Sequence, residues 1–454
     1  MKIFVTRVGF LYDIIVSSII HREEKIFGSK IEILKTQKKK ICSFSFFYFL
    51  IKNFFLLNFF FNKKFLHLNY KNCNIGIHVL ANVYRNIKSY NNIFYYYYNL
   101  FTDLYLAGAI VDHAYKISNN IKIAYIDHSG YLNGLYFRVF ALKKKIVYTN
   151  NYPRGIFFID FKKKKNVYLN SNDKALKLFI SKKVKKIDYN KNKLFVNKII
   201  NNPHIVPWMV STKFKKKTNV NFELLTHVIY CHSFVDGQLW FGNDGFVNLK
   251  EWLIFTIEKL SHSQNRVLIK AHPNFYNPSI DNISKWDREI FNNIKKKYET
   301  KNIIFLNEPT KNGDLLKNIS KKTVLISHHG TALLEGLFSG FKCISSTSTF
   351  WEANLKLTNS WSSQDEYKML LNKDFYTLNF PRKFDLSFVS NELFLNPVAE
   401  YGKKYWYKIL LKELKKFVKL KKNQDLINLD VKINKYIQSK IAKKLSFDIK
   451  EIQY

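Results

Sequence analysis

The sequence predicts an α/β protein in which two doubly wound parallel sheets face a cleft, preceded by an extra N-terminal helical and aromatic segment. From about residue 120 to residue 370, short apolar runs alternate with longer amphipathic runs. Continuous apolar strands of this kind are typical of parallel sheets that are covered on both faces. The pattern occurs on both sides of a polar stretch at 182–202, which we interpret as a domain junction. Each half is therefore predicted to form one Rossmann-like domain.

Length and composition bound the class of protein and the number of domains. The chain has 454 residues, of which 47% are hydrophobic and 24% are charged. This balance is typical of globular domains and excludes a disordered polyelectrolyte or a multi-span membrane protein. We expect an N-terminal basic and apolar segment at 1–70, Rossmann-like domains at 71–205 and 206–400, and a Lys-rich helical tail at 401–454.

The charge balance is strongly basic. Lys and Arg number 74 against 34 Asp and Glu, which gives a formal net charge of +40. Such an excess indicates either nucleic acid or an anionic membrane surface as a partner. The lysine runs at 38–40, 162–165 and 215–217 are dispersed along the chain instead of clustering on one module. The sequence therefore predicts basic faces that suit an acidic lipid surface, with no nucleic-acid partner.

One apolar stretch in the N-terminal segment is long enough to cross a bilayer as a helix. It is ICSFSFFYFLIKNFFLLNFFF, at residues 41–61. Lys52 lies near its middle, and a lysine at that depth costs on the order of 2.5 to 3.5 kcal/mol. A helix lying in the membrane interface, with its lysines reaching the headgroups, accommodates this charge better. A buried core helix and a true span are the alternatives.

The predicted location of the protein follows from its first residues and its cysteines. The apolar stretch at the start of the sequence is interrupted by Arg7 and Asp13, which does not fit a cleavable signal peptide. The four cysteines are scattered singly, which favours a reducing compartment over a disulfide framework. We expect a cytoplasmic protein that is peripheral to the inner face of the cell membrane.

The first half of the chain carries one strand-turn-helix-strand unit. IKIAYI at 121–126 predicts a strand, 137–142 a helix, and KIVY at 145–148 the next strand. The loop after the first strand lies at a carboxyl end, where the ligands of doubly wound sheets bind. Candidate binding residues in this loop and the following helix are Asp127, His128, Tyr131 and Arg138.

The second half repeats the pattern more regularly. An amphipathic helix, LKEWLIFTIEKL, is predicted at 249–260, and a second helix at 332–338 is followed by Gly340. Strands are predicted at 226–231, 266–270, 303–306, 323–327 and 342–345. This alternation predicts the second doubly wound sheet.

The segment ISHHGTALLE joins a buried strand to a helix and ends at Glu335. A helix start offers N–H groups to an anion, Gly330 permits close backbone approach, and Thr331 can cap the helix with its hydroxyl towards the anion. His328 or His329 can donate a hydrogen bond to the same anion. Glu335, one turn into the helix, can accept hydrogen bonds from a ribose diol. The segment predicts a phosphate site, and the alternative is a capped helix with a solvent-facing glutamate.

A second segment with polar residues at a strand end is LIKAHPN. Pro273 fixes φ and stops the strand, so Lys270 and His272 lie on the same rim of the predicted sheet. A lysine supplies a point charge to a phosphate, and a histidine donates a hydrogen bond to a phosphate or a base. Two such rims in one sheet indicate a nucleotide cleft, although a His-Pro pair alone is compatible with a simple turn.

A third segment, CHSFVDGQLW, follows the strand that opens the second half. Asp236 lies four residues beyond His232, and either side chain can act as a general base for a hydroxyl. An inert loop before the next helix is equally compatible with these residues.

Several motifs of other enzyme classes do not occur in the sequence. No H-x-x-x-H or D-x-D stands at a predicted strand end, so we expect no metal site. There is no G-x-x-x-x-G-K, no G-x-G-x-x-G and no G-x-S-x-G. The sequence therefore does not favour an ATPase, a dinucleotide oxidoreductase or an α/β-hydrolase, and no cofactor is expected.

The order and spacing of these segments resemble a known family. HSFVDGQLWF, EWL, LIKAHPN, ISHHGTALLEGLFSGFKCISS and DEYKMLL follow one another between Tyr125 and Leu371. This series is similar to GT-B-type glycosyltransferases of capsule and lipopolysaccharide biosynthesis. That group includes the Kdo transferases of bacterial capsule assembly and, more distantly, teichoic-acid polymerases.

The resemblance implies that the C-terminal domain binds the nucleotide-sugar donor and that 71–205 is the acceptor side. It places His272 and Pro273 against the nucleotide and Glu335 against the ribose. The residues implied in holding the phosphate and in a serine pair typical of CMP-sugar enzymes are His329, Gly330, Thr331, Ser345 and Ser346.

Residues and resemblance together predict a metal-independent transferase. It would move a sugar from a nucleotide-sugar donor, with a CMP-linked donor such as CMP-Kdo favoured, to a surface-polysaccharide or lipid-linked acceptor. One alternative is a polymerase that transfers a polyol phosphate from a CDP-linked donor. Another is a non-catalytic basic protein that binds membrane or nucleic acid.

Overall fold

The computed structural model describes the parts of the chain given at the end of this paragraph, and the structural statements below refer to those residues alone. Within them the chain divides into two compact units. Of the described residues, those within 2–79 and 101–160 belong to unit 1, and those within 80–100 and 189–386 belong to unit 2. The described residues are 2–5, 32–35, 44–53, 63–85, 92–121, 123–126, 130–150, 156–160, 189–203, 214, 222, 224–239, 244–262, 264–276, 281–347, 349, 357–383 and 386.

Unit 1 contains a five-stranded sheet whose order is β2-β1-β5-β6-β7. The first four strands of this order are parallel, and β7 runs antiparallel to β6. The sheet is therefore mixed, whereas the sequence predicted a wholly parallel one. The strands are β1 Lys2–Val5, β2 Glu32–Lys35, β5 Ile123–Ile126, β6 Ile146–Asn150 and β7 Ile156–Asp160.

Two strands of this sheet come from the segment that the sequence analysis set apart at 1–70. KIFV and EILK form β1 and β2, and Phe4 of β1 is fully buried. Its ring lies 4.5 Å from that of Tyr136 and 5.3 Å from that of Phe140, both on a helix of the same unit. The first strand of the chain thus helps to form the core of unit 1.

The helices of the first half of the chain are α1 Phe44–Lys52, α2 Gly76–Arg85, α3 Ile93–Ser118 and α4 Gly134–Leu142. A short antiparallel pair, β3 Asn69–Tyr70 with β4 Cys73–Asn74, precedes α2. The 26-residue helix α3 was not predicted, and it contains the four tyrosines at 95–98. The predicted junction at 182–202 contains a further helix, α5 Tyr189–Asn201.

The predicted helix at 41–61 is observed in part. α1 covers nine residues of it, and positions 41–43 and 54–61 lie outside the described residues. None of the helices in the described ranges is long and apolar enough to span a membrane. The tail at 401–454 also lies outside the described residues.

Unit 2 contains a six-stranded sheet in which every paired strand is parallel. Its order is β10-β9-β8-β11-β12-β13. From β8 the chain adds β9 and β10 towards one edge of the sheet, and it then crosses back to add β11, β12 and β13 towards the other edge. This is the doubly wound arrangement that the sequence predicted. The strands are β8 His227–Tyr230, β9 Val267–Lys270, β10 Ile303–Leu306, β11 Val324–Ile326, β12 Cys343–Ser346 and β13 Asn359–Trp361.

The remaining helices of unit 2 are α6 Leu249–Ser261, α7 Asp281–Tyr298, α8 Asn312–Asn318, α9 Ala332–Phe338 and α10 Gln364–Leu371. α6 illustrates how the sequence sets a helix in place. The Asn248 side chain caps it by accepting from Glu251 N–H at 2.8 Å, and the Glu251 carboxylate accepts from Val247 N–H in return. Its apolar side, including Trp252 and Leu253, packs into the core between strands and helices.

Candidate active site

A cleft opens in unit 2 where the strand order of the sheet reverses, between β8 and β11. The void inside it measures about 600 Å³, the part open to solvent included. In doubly wound sheets this point, beyond the carboxyl ends of the strands, is where ligands bind. The residues that line the cleft are Ile200, Pro203, Phe214, Tyr230, Cys231, Lys270, Ala271, His272, Pro273, Thr310, Asn312, Gly330, Thr331, Ala332 and Glu335.

The cleft brings together the two segments that were predicted to form one site. Lys270, His272 and Pro273 from the end of β9 line it together with Gly330, Thr331 and Glu335 from the region after β11. The tips of β8 and β11 are tied by Ser327, whose hydroxyl donates to the Tyr230 carbonyl at 3.0 Å. The same oxygen accepts from Gly330 N–H at 3.1 Å, and a Cβ at position 330 would lie 2.6 Å from it. Glycine is therefore required there by close approach.

Lys270 and Glu335 are the cationic and anionic side chains of the cleft lining. They are 4% and 8% exposed. Burial lowers the pKa of the Lys270 ammonium to about 8, and the charge of Glu335 offsets part of that shift. Burial raises the pKa of the Glu335 carboxyl to about 7, against the opposing effects of Asn312 and Lys270. Each group is therefore close to its titration point at neutral pH, where an added phosphate charge changes its protonation.

Two residues that the sequence analysis did not single out hold Glu335. The Asn312 amide donates to Glu335 Oε2 at 2.8 Å, and the Tyr230 hydroxyl donates to Asn312 Oδ1 at 2.7 Å. Tyr230 is the last residue of β8 and Asn312 the first of α8, so this chain of hydrogen bonds joins two different strand ends. The sequence could have indicated Asn312, because the loop after the strand IIFL lies at the same carboxyl edge of the sheet as the two predicted segments.

His272 presents a defined tautomer. Its Nδ1 accepts a hydrogen bond from Asn274 N–H at 3.1 Å, so the proton of the neutral ring is on Nε2. Burial, together with His232 and Lys270, holds the pKa of His272 well below its ordinary value. The ring is therefore neutral at pH 7 and has one N–H to donate.

Three further histidines pack beside His272. The His232 ring centroid lies 3.9 Å from that of His329 and 5.3 Å from that of His272, while His328 Nδ1 and His329 Nδ1 are 2.9 Å apart. Burial lowers the pKa of each of these rings, so they pack as neutral groups. Within the described ranges, no three His, Cys, Asp or Glu side chains are arranged to hold a metal ion.

The H-G-T segment differs from its prediction in two details. The Thr331 side chain makes no capping hydrogen bond to α9, so its hydroxyl can serve a ligand in the cleft. The predicted donor His329 is not among the residues that line the cleft and packs instead against His232 and His328. Its contribution to the site is to support the neighbouring rings.

The segment CHSFVDGQLW forms a loop that is held by hydrogen bonds to Asp287, a residue that the sequence analysis missed. The buried Asp287 carboxylate accepts from Ser233 Oγ at 2.8 Å and from Phe234 N–H at 2.7 Å. His232 and Asp236, the predicted general bases, are not among the cleft-lining residues. Asp236 is half-exposed, with Oδ1 3.8 Å from Arg85 Nε. The loop therefore places these two groups beside the cleft, not in its wall.

Ser345 and Ser346 do not reach the cleft. β12 continues through Ser346, so both residues lie within the strand and are fully buried. Ser345 Oγ is 2.6 Å from Thr358 Oγ1, and Ser346 N–H donates to the His328 carbonyl. Both serines therefore lie within β12, whereas the resemblance implied that they belong to the donor site.

Of the four residues predicted in the first half, the structure describes two. Asp127 and His128 lie outside the described residues. Tyr131 has a φ of 52°, and its carbonyl accepts from His78 Nδ1 at 2.6 Å. Arg138 on α4 lies close enough to His78 and Cys73 to influence the pKa of each.

Comparison with known proteins gives likenesses among solved structures. No protein-family model and no curated protein sequence matches the chain. The chain is similar to the beta-Kdo 2,4 transferase KpsC of Thermosulfurimonas dismutans, with a TM-score of 0.35 and 8% identity, over 60% of this chain and 79% of that one. It is similar to the UDP-GlcNAc 2-epimerase of Methanocaldococcus jannaschii in complex with UDP-GlcNAc and UDP, with a TM-score of 0.28 and 12% identity, over 87% and 100%.

A third likeness is to the N-terminal domain of the trehalose-6-phosphate phosphatase of Candida albicans. The TM-score is 0.28 and the identity 12%, over 90% of this chain and 96% of that one. Scores this low do not indicate what this chain does. Its α/β, Rossmann-like fold is established by its own sheets, and its candidate active site is the cleft at the reversal point of the six-stranded one.

Proposed function

We propose that the chain is a glycosyltransferase that binds a nucleotide-sugar donor in the cleft of unit 2. The observation that carries this proposal is the meeting of Lys270, Thr331 and Glu335 at the reversal point of a six-stranded parallel sheet. Sheets of this order bind nucleotides there. The lysine supplies a counter-charge for a phosphate, the threonine a hydroxyl, and the carboxylate an acceptor for ribose hydroxyls.

The charge of the cleft lining favours a donor with a single phosphate group, as in CMP-linked sugars, over a donor with two. Of the described residues that line the cleft, Lys270 alone carries a cationic side chain. The phosphate of a CMP-sugar is a diester with one negative charge, which one lysine balances. The diphosphate of a UDP-sugar carries two, and here Glu335 adds a further negative charge when it is ionised.

We assign the chemistry of transfer to two groups that line the cleft, Lys270 and His272, and to the two predicted general bases beside it. The acceptor hydroxyl attacks the anomeric carbon and gives its proton to Asp236 or His232. The bond from that carbon to the phosphate oxygen breaks, and its electron pair leaves with CMP. The phosphate thereby gains a second negative charge, which Lys270 and the Nε2–H of His272 stabilise without a metal ion.

The acceptor of the proposed reaction is a surface polysaccharide or a lipid-linked glycan. We assign its binding to the loop after β5 and the following helix of unit 1, with Asp127, His128, Tyr131 and Arg138 as candidate contacts. The support for this assignment is that the loop follows β5, which pairs with β1 at the reversal point of the first sheet.

Nucleotide binding tests the donor site directly. A ligand that binds the folded chain alone raises its melting temperature, so CMP, CDP, UDP and GDP are compared at equal concentration. We expect CMP to give the largest shift and His272→Ala to abolish it. His262→Ala is the matched control, because His262 is exposed at the end of α6, away from the cleft lining. Equal behaviour of these two variants, or no shift with any nucleotide, would overturn the assignment.

Turnover separates sugar transfer from transfer of a polyol phosphate. The protein is incubated with a glycolipid acceptor and either CMP-Kdo or CDP-glycerol, and the products are examined by mass spectrometry. We expect CMP together with a glycoside from the CMP-linked donor. A phosphodiester product from the CDP-linked donor alone would replace the proposed reaction with attack on phosphorus.

A further inference from the structure

Unit 1 exposes six large apolar side chains on two adjacent helices, here called the aromatic surface. On α1, Phe44 is 89% exposed, Tyr48 67% and Ile51 72%. Large side chains exposed to this degree are uncommon in groups on soluble proteins and indicate an interaction surface. The members of the aromatic surface are Phe44, Phe47, Tyr48, Ile51, Phe101 and Tyr105.

The outward direction of the α1 side chains is set by one buried residue. Phe46 is fully buried, and its ring lies so close to Gly108 of α3 that a Cβ there would stand 2.4 Å from it. Since Phe46 points inward, the residues at helical spacing on the other side of α1 point outward. The buried Phe46 ring therefore anchors α1 against α3.

α3 continues the surface beyond α1. Phe101 and Tyr105 precede Gly108 by seven and three residues, which places all three on one side of α3 at helical spacing. Phe101 is 46% exposed and Tyr105 36%. The side of α3 that receives Phe46 therefore also carries the two exposed aromatic rings.

The chemistry of this surface fits a lipid headgroup region better than another protein. Phenylalanine, tyrosine and isoleucine are residues that enter the boundary between headgroups and acyl chains. α1 has no acidic residue and ends at the exposed Lys52, while Lys38–Lys40 precede it in the sequence. With a net charge of +40, the chain is complementary to anionic lipids. Each lysine near such a surface adds electrostatic attraction to it.

We propose that the aromatic surface docks the protein on a bilayer that contains anionic lipids, with α1 lying in the plane of the interface. Phe44, Phe47 and Ile51 enter the boundary region, and Lys52 at the end of α1 contacts the headgroups. This inference does not depend on the proposed function, because the aromatic surface belongs to unit 1 and the cleft to unit 2.

Vesicle sedimentation of the full chain tests the proposal. Vesicles of phosphatidylcholine alone are compared with vesicles that also contain phosphatidylglycerol, at low salt and at 0.5 M salt, a value on the order of that needed to screen exposed charges. We expect binding to the anionic vesicles. We also expect the triple variant Phe44→Ser, Phe47→Ser, Ile51→Ser to lose at least tenfold in partition coefficient, most clearly at high salt, where the apolar contribution remains.

The matched control changes three exposed apolar residues elsewhere. Leu194, Leu224 and Met369 of unit 2 are 71%, 66% and 61% exposed, and their replacement by serine is expected to leave vesicle binding unchanged. Unchanged melting temperatures show that both triple variants are folded. Equal vesicle binding by wild type and the α1 variant would overturn the proposal. So would a wild-type dimer in sedimentation equilibrium that the α1 variant loses, since the surface would then bind a second copy.

Discussion

Asp287 on α7 accepts a hydrogen bond from the Ser233 hydroxyl at 2.8 Å, across a separation of 54 residues in the chain. The Ser233 oxygen in turn accepts from Asp236 N–H at 2.9 Å, and the Ser233 carbonyl accepts from the Gln238 amide at 2.7 Å. Burial raises the pKa of the Asp287 carboxyl to about 7 despite these hydrogen bonds. One buried carboxyl group thus holds the whole turn that carries His232 and Asp236.

Replacement of Asp287 by alanine is expected to loosen this turn. It leaves the Phe234 N–H and the Ser233 hydroxyl without their buried acceptor, and each lost partner costs about 1 to 3 kcal/mol. Urea unfolding at pH 7 should show a drop in the free energy of unfolding of that order. The rate of sugar transfer should fall more than the affinity for CMP, because the turn lies beside the cleft.

Asn292→Ala provides the comparison for Asp287→Ala, since Asn292 is exposed on the same helix. Asp287→Asn retains one acceptor and should recover part of the stability. If Asp287→Ala unfolds no more easily than Asn292→Ala, the turn does not depend on the carboxyl group.

The affinity for a nucleotide is expected to fall as the pH rises above 7. Lys270 has a pKa of about 8 in the empty cleft, and a bound phosphate favours its protonated form. Glu335, with a pKa of about 7, is ionised over the same range and adds a repelling charge. Both effects have the same sign, so binding is strongest near pH 6.5 and weakens by about tenfold per unit above pH 8 for one lost proton.

Calorimetric titration of CMP between pH 6.5 and 9.5 measures this dependence above the second phosphate pKa of about 6. Lys270→Met should bind weakly at all of these pH values and lose the steep part of the curve. Lys368→Met, at an exposed position of α10, should retain it. A flat curve for the wild-type protein would show that Lys270 does not contact the phosphate.

The elements of unit 2 could be predicted because their sequence signals are local. β10 at Ile303–Leu306 and α9 at Ala332–Phe338 have the predicted bounds. A continuous apolar run marks the strand, and a glycine shortly after the last turn marks the end of the helix. Lys270 and Thr331 were predicted to meet because the carboxyl ends of parallel strands share one edge. These predictions did not depend on any contact between side chains that are distant in the sequence.

Residues that act through long-range pairing could not be predicted in the same way. Asp287 lies in a helix with several charged neighbours, and nothing local distinguishes it from a solvated carboxylate. β1 and β2 are runs of four residues, and their place in the sheet depends on pairing with each other and with β5, far along the chain. Ser345 and Ser346 were named from the family resemblance alone, and no local signal in the sequence showed that β12 continues through Ser346.

The link from Tyr230 through Asn312 to Glu335 predicts a measurable coupling. Asn312→Ala removes the donor that lowers the pKa of Glu335 and the acceptor of the buried Tyr230 hydroxyl. The free energy of unfolding should therefore fall by about 1 to 3 kcal/mol, and the pKa of Glu335 should rise further. Isotope-detected titration of Glu335 by NMR measures the second effect.

A double-mutant cycle shows whether Tyr230 and Asn312 act together. Tyr230→Phe removes the hydroxyl, so Asn312→Ala should cost less in that background than in the wild type. Additive costs would mean that the Tyr230 and Asn312 side chains do not interact.

Gly313 on α8 is expected to be intolerant of alanine although it lies in a helix. Alanine normally favours a helix by about 1 kcal/mol relative to glycine. Here, however, a Cβ would lie 2.7 Å from the Ile200 carbonyl oxygen, a backbone atom of α5 that cannot rotate away. Overpacking of this kind costs about 1 to 3 kcal/mol, so the net change should be a loss of stability on the order of 1 kcal/mol.

Because Ile200 and Pro203 line the cleft, displacement of α5 should also weaken CMP binding. Thermal unfolding and calorimetry of Gly313→Ala measure both effects. Asn318→Ala is the control, because Asn318 is exposed and its side chain bonds to the Asp314 carbonyl of α8 itself. A stabilised Gly313→Ala protein with unchanged CMP affinity would show that α5 is free to move away from α8 without disturbing the cleft.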